Sequence, residues 1–319
     1  MAPESYRASA PGSLMLLGEH AVLQRKHALV GAIDRRIEVI LTPRSDRVVQ
    51  LNSALGKLEL SLDQWDIQEP FQFVMQAILK LREQITTGFI LEINSDFAAD
   101  LGLGSSATVT VATLAVLRLW LEQKSPDLMQ LYLDGKAVIN AVQGVGSGAD
   151  VAASVFGGIV AYRTSPLLLE RIAPTVPLVI VYSGSKLPTA KVIAQVERLR
   201  NRHFNIFELL YDVIDRCVLD AMEALRTNNL EKLGEIMDIH QGLQDALGVN
   251  SAILTKIILA LRKRKEIFGT KISGAGLGDC VIALGTIPTD YFAKDLTDGI
   301  RVIDVKIAER GVDCVFSPR

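Results

Sequence analysis

A glycine- and serine-rich segment between a strand-like run and a helix-like run is the feature that most constrains this sequence. Residues Phe89–Ile93 alternate in the manner of a half-buried strand, and residues 107–121 place apolar side chains at helical spacing. Between them, Gly102 and Gly104 let the backbone approach a ligand without a Cβ in the way. Because the first amides of a helix are free to bind anions, this stretch predicts an anion-binding loop.

Two serines follow the second glycine and add hydroxyl groups to the loop. Ser105 and Ser106 can cap the helix, contact a phosphate or bind Mg²⁺. The loop differs from a Walker A motif because no lysine precedes the serines, and from a dinucleotide-binding motif because Ala107 stands at the third glycine position. A tight strand-to-helix turn without a ligand stays open as the alternative.

The composition predicts a compact protein with a sizeable apolar core. The chain has 319 residues, of which 49% are hydrophobic. Its formal net charge of −2 indicates no basic surface for a nucleic acid or an anionic membrane, and charges such as Arg118 interrupt its longest apolar stretches. We therefore expect neither a nucleic acid nor a membrane as a partner.

The cysteines give an indication of the compartment. Cys217, Cys280 and Cys314 lie far apart, are odd in number and form no C-x-x-C pair. This pattern favours a reducing compartment over a disulfide framework and does not indicate a metal cluster. We therefore expect a cytoplasmic protein.

The hydrophobic periodicity predicts an α+β protein of two domains. Strands dominate the first half, whereas helices are predicted at about 188–201, 205–227, 230–247 and 251–266. Later strands are predicted at 178–182, 271–273, 280–284 and 312–316, with a helix near 290–309. We place the domains at residues 1–170 and 171–319 and expect the glycine-rich loops at their junction.

Two further glycine-rich segments carry candidate functional residues. Pro11–His20 is an apolar run that ends in Gly18, Glu19 and His20, which places a carboxylate and an imidazole at a strand terminus; an ordinary polar turn is the alternative. Lys271–Cys280 has three alternate glycines, which are costly in chain entropy unless the backbone must approach something closely.

Taken in their order along the chain, the three segments resemble those of the GHMP kinases, the superfamily of galactokinase, homoserine kinase, mevalonate kinase and phosphomevalonate kinase. The resemblance extends over residues 11–285, nearly the whole chain. It implies a kinase that uses ATP and Mg²⁺ to phosphorylate a small molecule. It also implies an N-terminal ribosomal-protein-like domain, a C-terminal ferredoxin-like domain and a cleft between them.

The resemblance also assigns roles to two of the glycine-rich segments. In such kinases the G-L-G-S-S-A motif wraps the phosphates of ATP, and Ser106 is the expected Mg²⁺ ligand. The nucleotide-binding residues implied here are Gly102, Leu103, Gly104, Ser105, Ser106 and Ala107. The third motif is expected to shape the floor of the substrate site with Gly274, Ala275 and Gly276.

The run Gly146–Asp150 resembles the family element whose aspartate lies beside the substrate hydroxyl. Asp150 is therefore the candidate catalytic residue, since its carboxylate could accept the hydroxyl proton and orient the oxygen towards the γ-phosphate. An aspartate after a glycine turn is otherwise a common helix N-cap, here for Val151–Ser154. One side chain does not easily fill both roles, so the two interpretations compete.

Within the superfamily the chain most resembles the mevalonate kinases. The run P-G-S-L-M-L-L-G-E-H-A-V-L and the helical segment at 233–249 carry this likeness. It implies that the chain phosphorylates mevalonate to 5-phosphomevalonate and that Glu19, His20 and Thr189 contact this substrate. A homodimer is a further expectation, because family members are often dimers.

Three features depart from the mevalonate kinase pattern. Ser13 stands where the family has a lysine, and Ile139 stands where animal-type enzymes have a Mg²⁺-binding glutamate. Residues 143–154, around Asp150, and Gly278–Cys280 are more similar to phosphomevalonate kinase. The alternatives are therefore a phosphomevalonate kinase and a non-catalytic sensor of nucleotide or metabolite. A decarboxylase of this fold is less similar in its first motif. Cations that could serve either substrate are Arg25, Lys26, Lys186 and Lys191.

Overall fold

The computed structural model describes residues 5–98, 101–172, 176–289, 291–292 and 299–317, and it confirms the α+β class. Helices pack on two β-sheets, one of eight strands and one of four. Within these ranges no helix is long and apolar enough to cross a membrane.

The larger sheet is built on one long antiparallel hairpin. Its strands are β1 (Ser5–Leu17), β2 (Ala28–Pro43), β3 (Val48–Ser53), β4 (Gly56–Ser61), β5 (Phe89–Ser95), β6 (Ile159–Thr164), β7 (Leu167–Ile172) and β12 (Asp313–Ser317). The order is β12-β1-β2-β5-β3-β4, and β6 pairs with the first residues of β2 and with β7. Residues 10–14 of β1 are buried on both faces of the sheet. The end of β1 therefore lies inside the protein.

Four helices belong to this half of the described chain; the second and the fourth pack on the sheet, and the first and the third pack against other helices. They are α1 (Gln72–Leu81), α2 (Ser105–Glu122), α3 (Leu128–Gln143) and α4 (Ala149–Phe156). Helix α2 is buried over most of its circumference, as its continuous apolar composition requires. Its Thr108 and Thr110 hydroxyls donate to the carbonyls of Gly104 and Ser106, at 3.0 and 2.8 Å. The surrounding core thus fixes the glycine-rich loop that precedes α2.

The smaller sheet and the later helices form the rest of the described chain. The strands are β8 (Leu178–Tyr182), β9 (Ile267–Ser273), β10 (Cys280–Gly285) and β11 (Arg301–Asp304), in the order β11-β8-β10-β9. The helices are α5 (Thr189–Arg202), α6 (Phe204–Arg226), α7 (Leu230–Ala246) and α8 (Ala252–Arg262). All four helices lie where the sequence predicts them, within a few residues at each end.

The predicted helix near 290–309 is wrong for the residues of β11. These residues pair antiparallel with β8, and residues 293–298 lie outside the described residues. Val302 and Ile303 pack against different hydrophobic clusters on the two faces of the sheet. β-Branched side chains suit such a two-sided strand better than a helix. Strand β7, which pairs with β6, was not predicted either.

The two ends of the described chain meet in the larger sheet. Strand β12 pairs antiparallel with the first five residues of β1, from Ser5↔Ser317 to Ser9↔Asp313. A strand from the predicted C-terminal domain thus completes the sheet of the N-terminal half. The division at residues 170 and 171 stays a prediction.

Helix α7 covers the edge of the smaller sheet, where β9 has a strand on one side only. The Thr270 amide donates to Asp238 Oδ1 at 2.9 Å, and the Ile272 amide donates to Gln241 Oε1 at 2.8 Å. Side chains of α7 therefore satisfy edge amides that a neighbouring strand would otherwise satisfy. This arrangement requires the helix and the strand to approach closely.

The Gly234→Ala substitution should destabilise the protein by about 1–3 kcal/mol because it overpacks this contact. A Cβ at Gly234 would lie 2.2 Å from the Phe268 carbonyl oxygen. Gly242→Ala on the same helix is the matched control, since a Cβ there meets no atom within 4 Å. The control should be neutral or stabilising by up to about 1 kcal/mol. Urea unfolding of both variants measures the difference, and equal effects would contradict the proposed contact.

Candidate active site

The three glycine-rich segments meet at one cleft. The predicted site residues that line it are Glu19, His20, Gly102, Gly104, Ser105, Ser106, Ala107, Asp150, Thr189, Gly274 and Ala275. Leu103 and Gly276 do not line it. Leu103 is buried below the loop and its carbonyl accepts the Ser13 amide at 3.0 Å, whereas a Cβ at Gly276 would lie 2.5 Å from the Val249 carbonyl oxygen.

The loop before α2 has the conformation of an anion-binding loop. Gly102 and Gly104 have φ values of +70° and +69°, a region that favours glycine. A Cβ at Gly104 would lie 1.9 Å from Ser13 Oγ, so only glycine fits between α2 and β1. Gly104 is the N-cap of α2, so the amides of the next three residues have no intrahelical acceptor. The amides of Ser106 and Ala107 and the Ser106 hydroxyl can donate to the oxygens of a phosphate.

Asp150 lies on the first turn of α4 and is not the N-cap of that helix. The cap is Gly148, with φ of +88°, and the Asp150 Oδ1 atom instead accepts a hydrogen bond from Ser13 Oγ at 2.8 Å. The N-cap interpretation is therefore wrong. Burial raises the pKa of Asp150, while the Ser13 hydrogen bond and the Lys186 charge lower it in part. A carboxylate with a raised pKa is a better proton acceptor.

A buried ion pair lies behind the first loop. Glu19 Oε1 bonds Lys271 Nζ, which also donates to the Ile272 carbonyl, and both side chains are almost fully buried. Burial raises the pKa of Glu19, and the Lys271 charge opposes that rise. The Gly18 amide donates to His240 Nε2 at 3.1 Å, so this ring is neutral, and burial holds its pKa well below the usual value.

Both carboxylate oxygens of Glu19 lie close to other side chains of the protein. One of its carboxylate oxygens is engaged by Lys271, and the other lies 3.6 Å from His240 Nε2. Neither Lys271 nor His240 was singled out from the sequence. The only indication in the sequence is that Lys271 is a charged residue in a strand-like apolar run and that His240 places an imidazole in a helical one.

His20 and Thr189 both line the cleft. His20 Nε2 lies 2.9 Å from the Ala275 carbonyl oxygen and donates to it, which ties the first loop to the third. Burial lowers the pKa of His20. Thr189 begins α5 and is exposed at the mouth of the cleft. The His20 ring and the Thr189 hydroxyl could both contact a hydroxylated acceptor.

Asp279 is a buried carboxylate of the third loop that was not predicted as a site residue. It is 5% exposed, has φ of +62°, and its Oδ1 atom lies 3.8 Å from Lys186 Nζ without a hydrogen bond. Burial raises its pKa to about 6, and the Lys186 charge opposes that rise. A Cβ at Gly102 would lie 3.0 Å from Asp279 Oδ1, so the third loop touches the anion-binding loop.

The cleft contains few cations and no preformed metal cluster. Lys186 is the one lysine or arginine among the described residues that line it. Lys26 forms a surface ion pair with Asp212, and neither Arg25 nor Lys191 lines the cleft. The described ranges also contain no group of three or more His, Cys, Asp or Glu side chains that could hold a metal ion.

Comparison with known proteins identifies relatives along almost the whole chain. Residues 72–158 match the GHMP kinases N terminal domain, and residues 221–304 match the GHMP kinases C terminal family. The chain is 35% identical over 301 residues to a mevalonate kinase of Archaeoglobus fulgidus, which covers 92% of this chain and 99% of the relative. It is 34% identical over 315 residues to a mevalonate kinase of Thermococcus gammatolerans, with 91% and 92% covered.

The structural comparison agrees in fold. The Methanococcus jannaschii mevalonate kinase superposes with a TM-score of 0.80 at 23% identity, and the match covers 94% of this chain and 98% of that chain. At this level of identity the likeness concerns the architecture alone.

The raised pKa of Asp279 predicts a pH-dependent stability. Because the folded protein holds the proton up to about pH 6 and the unfolded chain only to about 3.8, stability falls as pH rises between these values. Asp279→Asn should therefore raise the free energy of unfolding by about 1–3 kcal/mol at pH 7.5. The gain should shrink as the pH falls to 4.5.

Urea unfolding at four pH values between 4.5 and 7.5 measures this gain. Asp66→Asn, at an exposed position, controls for the loss of one negative charge. A gain from Asp279→Asn that is the same at every pH would contradict the assignment to this carboxylate.

Proposed function

The chain belongs to the GHMP kinase family and is therefore an ATP-dependent kinase, and we propose that its acceptor is mevalonate, which it converts to 5-phosphomevalonate. One observation carries the proposal: the anion-binding loop at the start of α2 and the Asp150 carboxylate line the same cleft. The curated relatives at 35% and 34% identity are named mevalonate kinases.

The charge of the cleft supports mevalonate over 5-phosphomevalonate. A phosphorylated acceptor brings additional negative charge beside the phosphates of ATP and needs additional cations. Among the described lining residues, only Lys186 is a lysine or arginine, whereas Asp150 and Asp279 are acidic. Mevalonate has one carboxylate and two hydroxyl groups, which the hydroxyls and the imidazole of the cleft can bind.

The residues of the cleft fit a nucleotide phosphate and a Mg²⁺ ion that arrives with it. The Ser106 and Ala107 amides at the start of α2 and the two glycines before the helix suit phosphate oxygens, and Ser106 offers a hydroxyl ligand. Because no cluster of three acidic or imidazole groups is present in the described ranges, phosphate oxygens would supply most ligands. When bound, such an ion would neutralise part of the phosphate charge.

Asp150 would act on the acceptor hydroxyl. Its raised pKa suits it to accept the proton as the oxygen attacks the γ-phosphorus, and the hydrogen bond from Ser13 orients the carboxylate. Ile139, which also lines the cleft, gives one wall of it an apolar surface. Catalysis would then depend mainly on positioning and on stabilisation of charge. The homodimer and the cytoplasmic location stay predictions.

The acceptor is tested by ADP formation from ATP and Mg²⁺ with mevalonate, 5-phosphomevalonate, homoserine and galactose in parallel. We expect turnover with mevalonate and none above background with the other three. Turnover with 5-phosphomevalonate alone would replace the proposal by the phosphomevalonate kinase alternative. Nucleotide binding without turnover on any acceptor would favour a sensor.

The Asp150→Asn variant tests the proton acceptor. The amide keeps the shape of the side chain but cannot take the proton, so kcat should fall by about 10²-fold or more. ATP affinity, measured by calorimetry, should stay within about threefold of the wild type, because Asp150 is assigned to the acceptor rather than to the nucleotide. An unchanged kcat would remove Asp150 from the chemistry.

A further inference from the structure

The described residues that line the cleft supply little of the positive charge that a kinase needs. Phosphoryl transfer needs positive charge near the oxygens of the transferred group. Among the described residues, three carboxylates line the cleft, and one of them, Glu19, is already paired with the buried Lys271. Asp150 and Asp279 are left, and the Lys186 charge lowers the pKa of both. Lys186 is therefore the cation that the two remaining carboxylates share.

The backbone that carries Lys186 is fixed to the third loop. The Asp279 amide donates to the Ser185 carbonyl at 2.8 Å, and the Ser183 amide donates to the Asp279 carbonyl at 2.9 Å. A Cβ at Gly278 would lie 2.8 Å from the Ser185 carbonyl oxygen, so glycine is needed for this contact. These bonds place the start of the Lys186 side chain beside the loop that touches Gly102.

The end of the side chain is less constrained. Lys186 Nζ lies 3.8 Å from Asp279 Oδ1, and its side chain is 31% exposed. The Asp279 Oδ1 atom has no hydrogen-bond partner although it is buried. An ammonium on a flexible stem with three donors can leave such a loose ion pair and bond phosphate oxygens, while its charge remains close to Asp279.

We propose that Lys186 is a catalytic residue whose ammonium contacts the transferred phosphoryl group, and that Asp279 is the positioning residue that holds it there. The inference rests on the proposed kinase function. The bond between the γ-phosphorus and the bridging oxygen of ADP breaks as the bond to the acceptor oxygen forms, and the acceptor proton passes to Asp150. Lys186 stabilises the charge on the γ-phosphoryl oxygens and exchanges no proton.

The first test compares Lys186→Met with Lys191→Met. Lys191 is exposed on α5 and does not line the cleft, so its variant should have wild-type kinetics. Lys186→Met should lower kcat by about 10²- to 10³-fold, with KM for ATP and mevalonate within about fivefold of the wild type. Lys186→Arg should recover part of kcat. A defect confined to KM for mevalonate would overturn the proposal and make Lys186 a carboxylate-binding residue.

The second test needs no turnover. ADP with aluminium fluoride and Mg²⁺ imitates the transferred phosphoryl group, so Lys186→Met should bind this complex about 10²-fold more weakly than the wild type. Affinity for ADP and Mg²⁺ alone should be unchanged. Equal losses with and without fluoride would overturn the proposal. If the wild type does not phosphorylate mevalonate, the proposed function fails, and the fluoride comparison still decides the role of Lys186.

A double-mutant cycle tests the positioning role of Asp279. Asp279→Asn alone should lower kcat by about tenfold, because the ammonium loses the group that holds it. In the Lys186→Met background the same change should lower kcat by less than about twofold, since nothing remains to be positioned. If Asp279→Asn lowered kcat by the same factor in both backgrounds, Asp279 would not act through Lys186.

Discussion

The ion pair between Glu19 and Lys271 is the interaction on which the geometry of the cleft depends. It joins the end of β1 in the larger sheet to β9 in the smaller sheet, across 252 residues of chain, and both groups are almost fully buried. A buried charge that loses its partner costs about 3–5 kcal/mol, so each sheet needs the other to keep these groups satisfied. His20 follows Glu19 directly and bonds the third loop at Ala275. The pair therefore fixes the separation of the first and third loops.

The second constraint is steric. The loops approach each other so closely that a single Cβ would separate them: at Gly104 it would meet Ser13, at Gly278 the Ser185 carbonyl, and at Gly276 the Val249 carbonyl. Glycine at these positions leaves the loop amides exposed to a ligand and allows contact between segments that are distant in sequence. The small Ser13 side chain belongs to the same arrangement, since it fills the space between Gly104 and Asp150.

Local sequence patterns were sufficient to predict most helices and the three loops. Helical spacing of apolar residues predicted α2 and α5 to α8, and the glycine runs predicted the loops that line the cleft. The same patterns gave wrong predictions where contacts between distant segments, rather than the local sequence, determine the structure. Residues 301–304 form a strand because Val302 and Ile303 pack on both faces of a sheet, and this environment is not visible in the sequence. Asp150 is not an N-cap because its partner, Ser13, comes from β1, 137 residues away.

The charge balance of the cleft also could not be read from the sequence. The formal net charge of −2 describes the whole chain, whereas the described residues that line the cleft include three carboxylates and a single lysine, Lys186, which pairs with Asp279. Burial raises the pKa of Asp150, the Ser13 hydrogen bond and the Lys186 charge oppose that rise in part, and the raised pKa strengthens the carboxylate as a proton acceptor. The small number of cations that line the cleft disfavours an acceptor that already carries a phosphate. Burial thus accounts for the strength of the base, whereas the small number of lining cations accounts for the proposed preference for an acceptor without a phosphate.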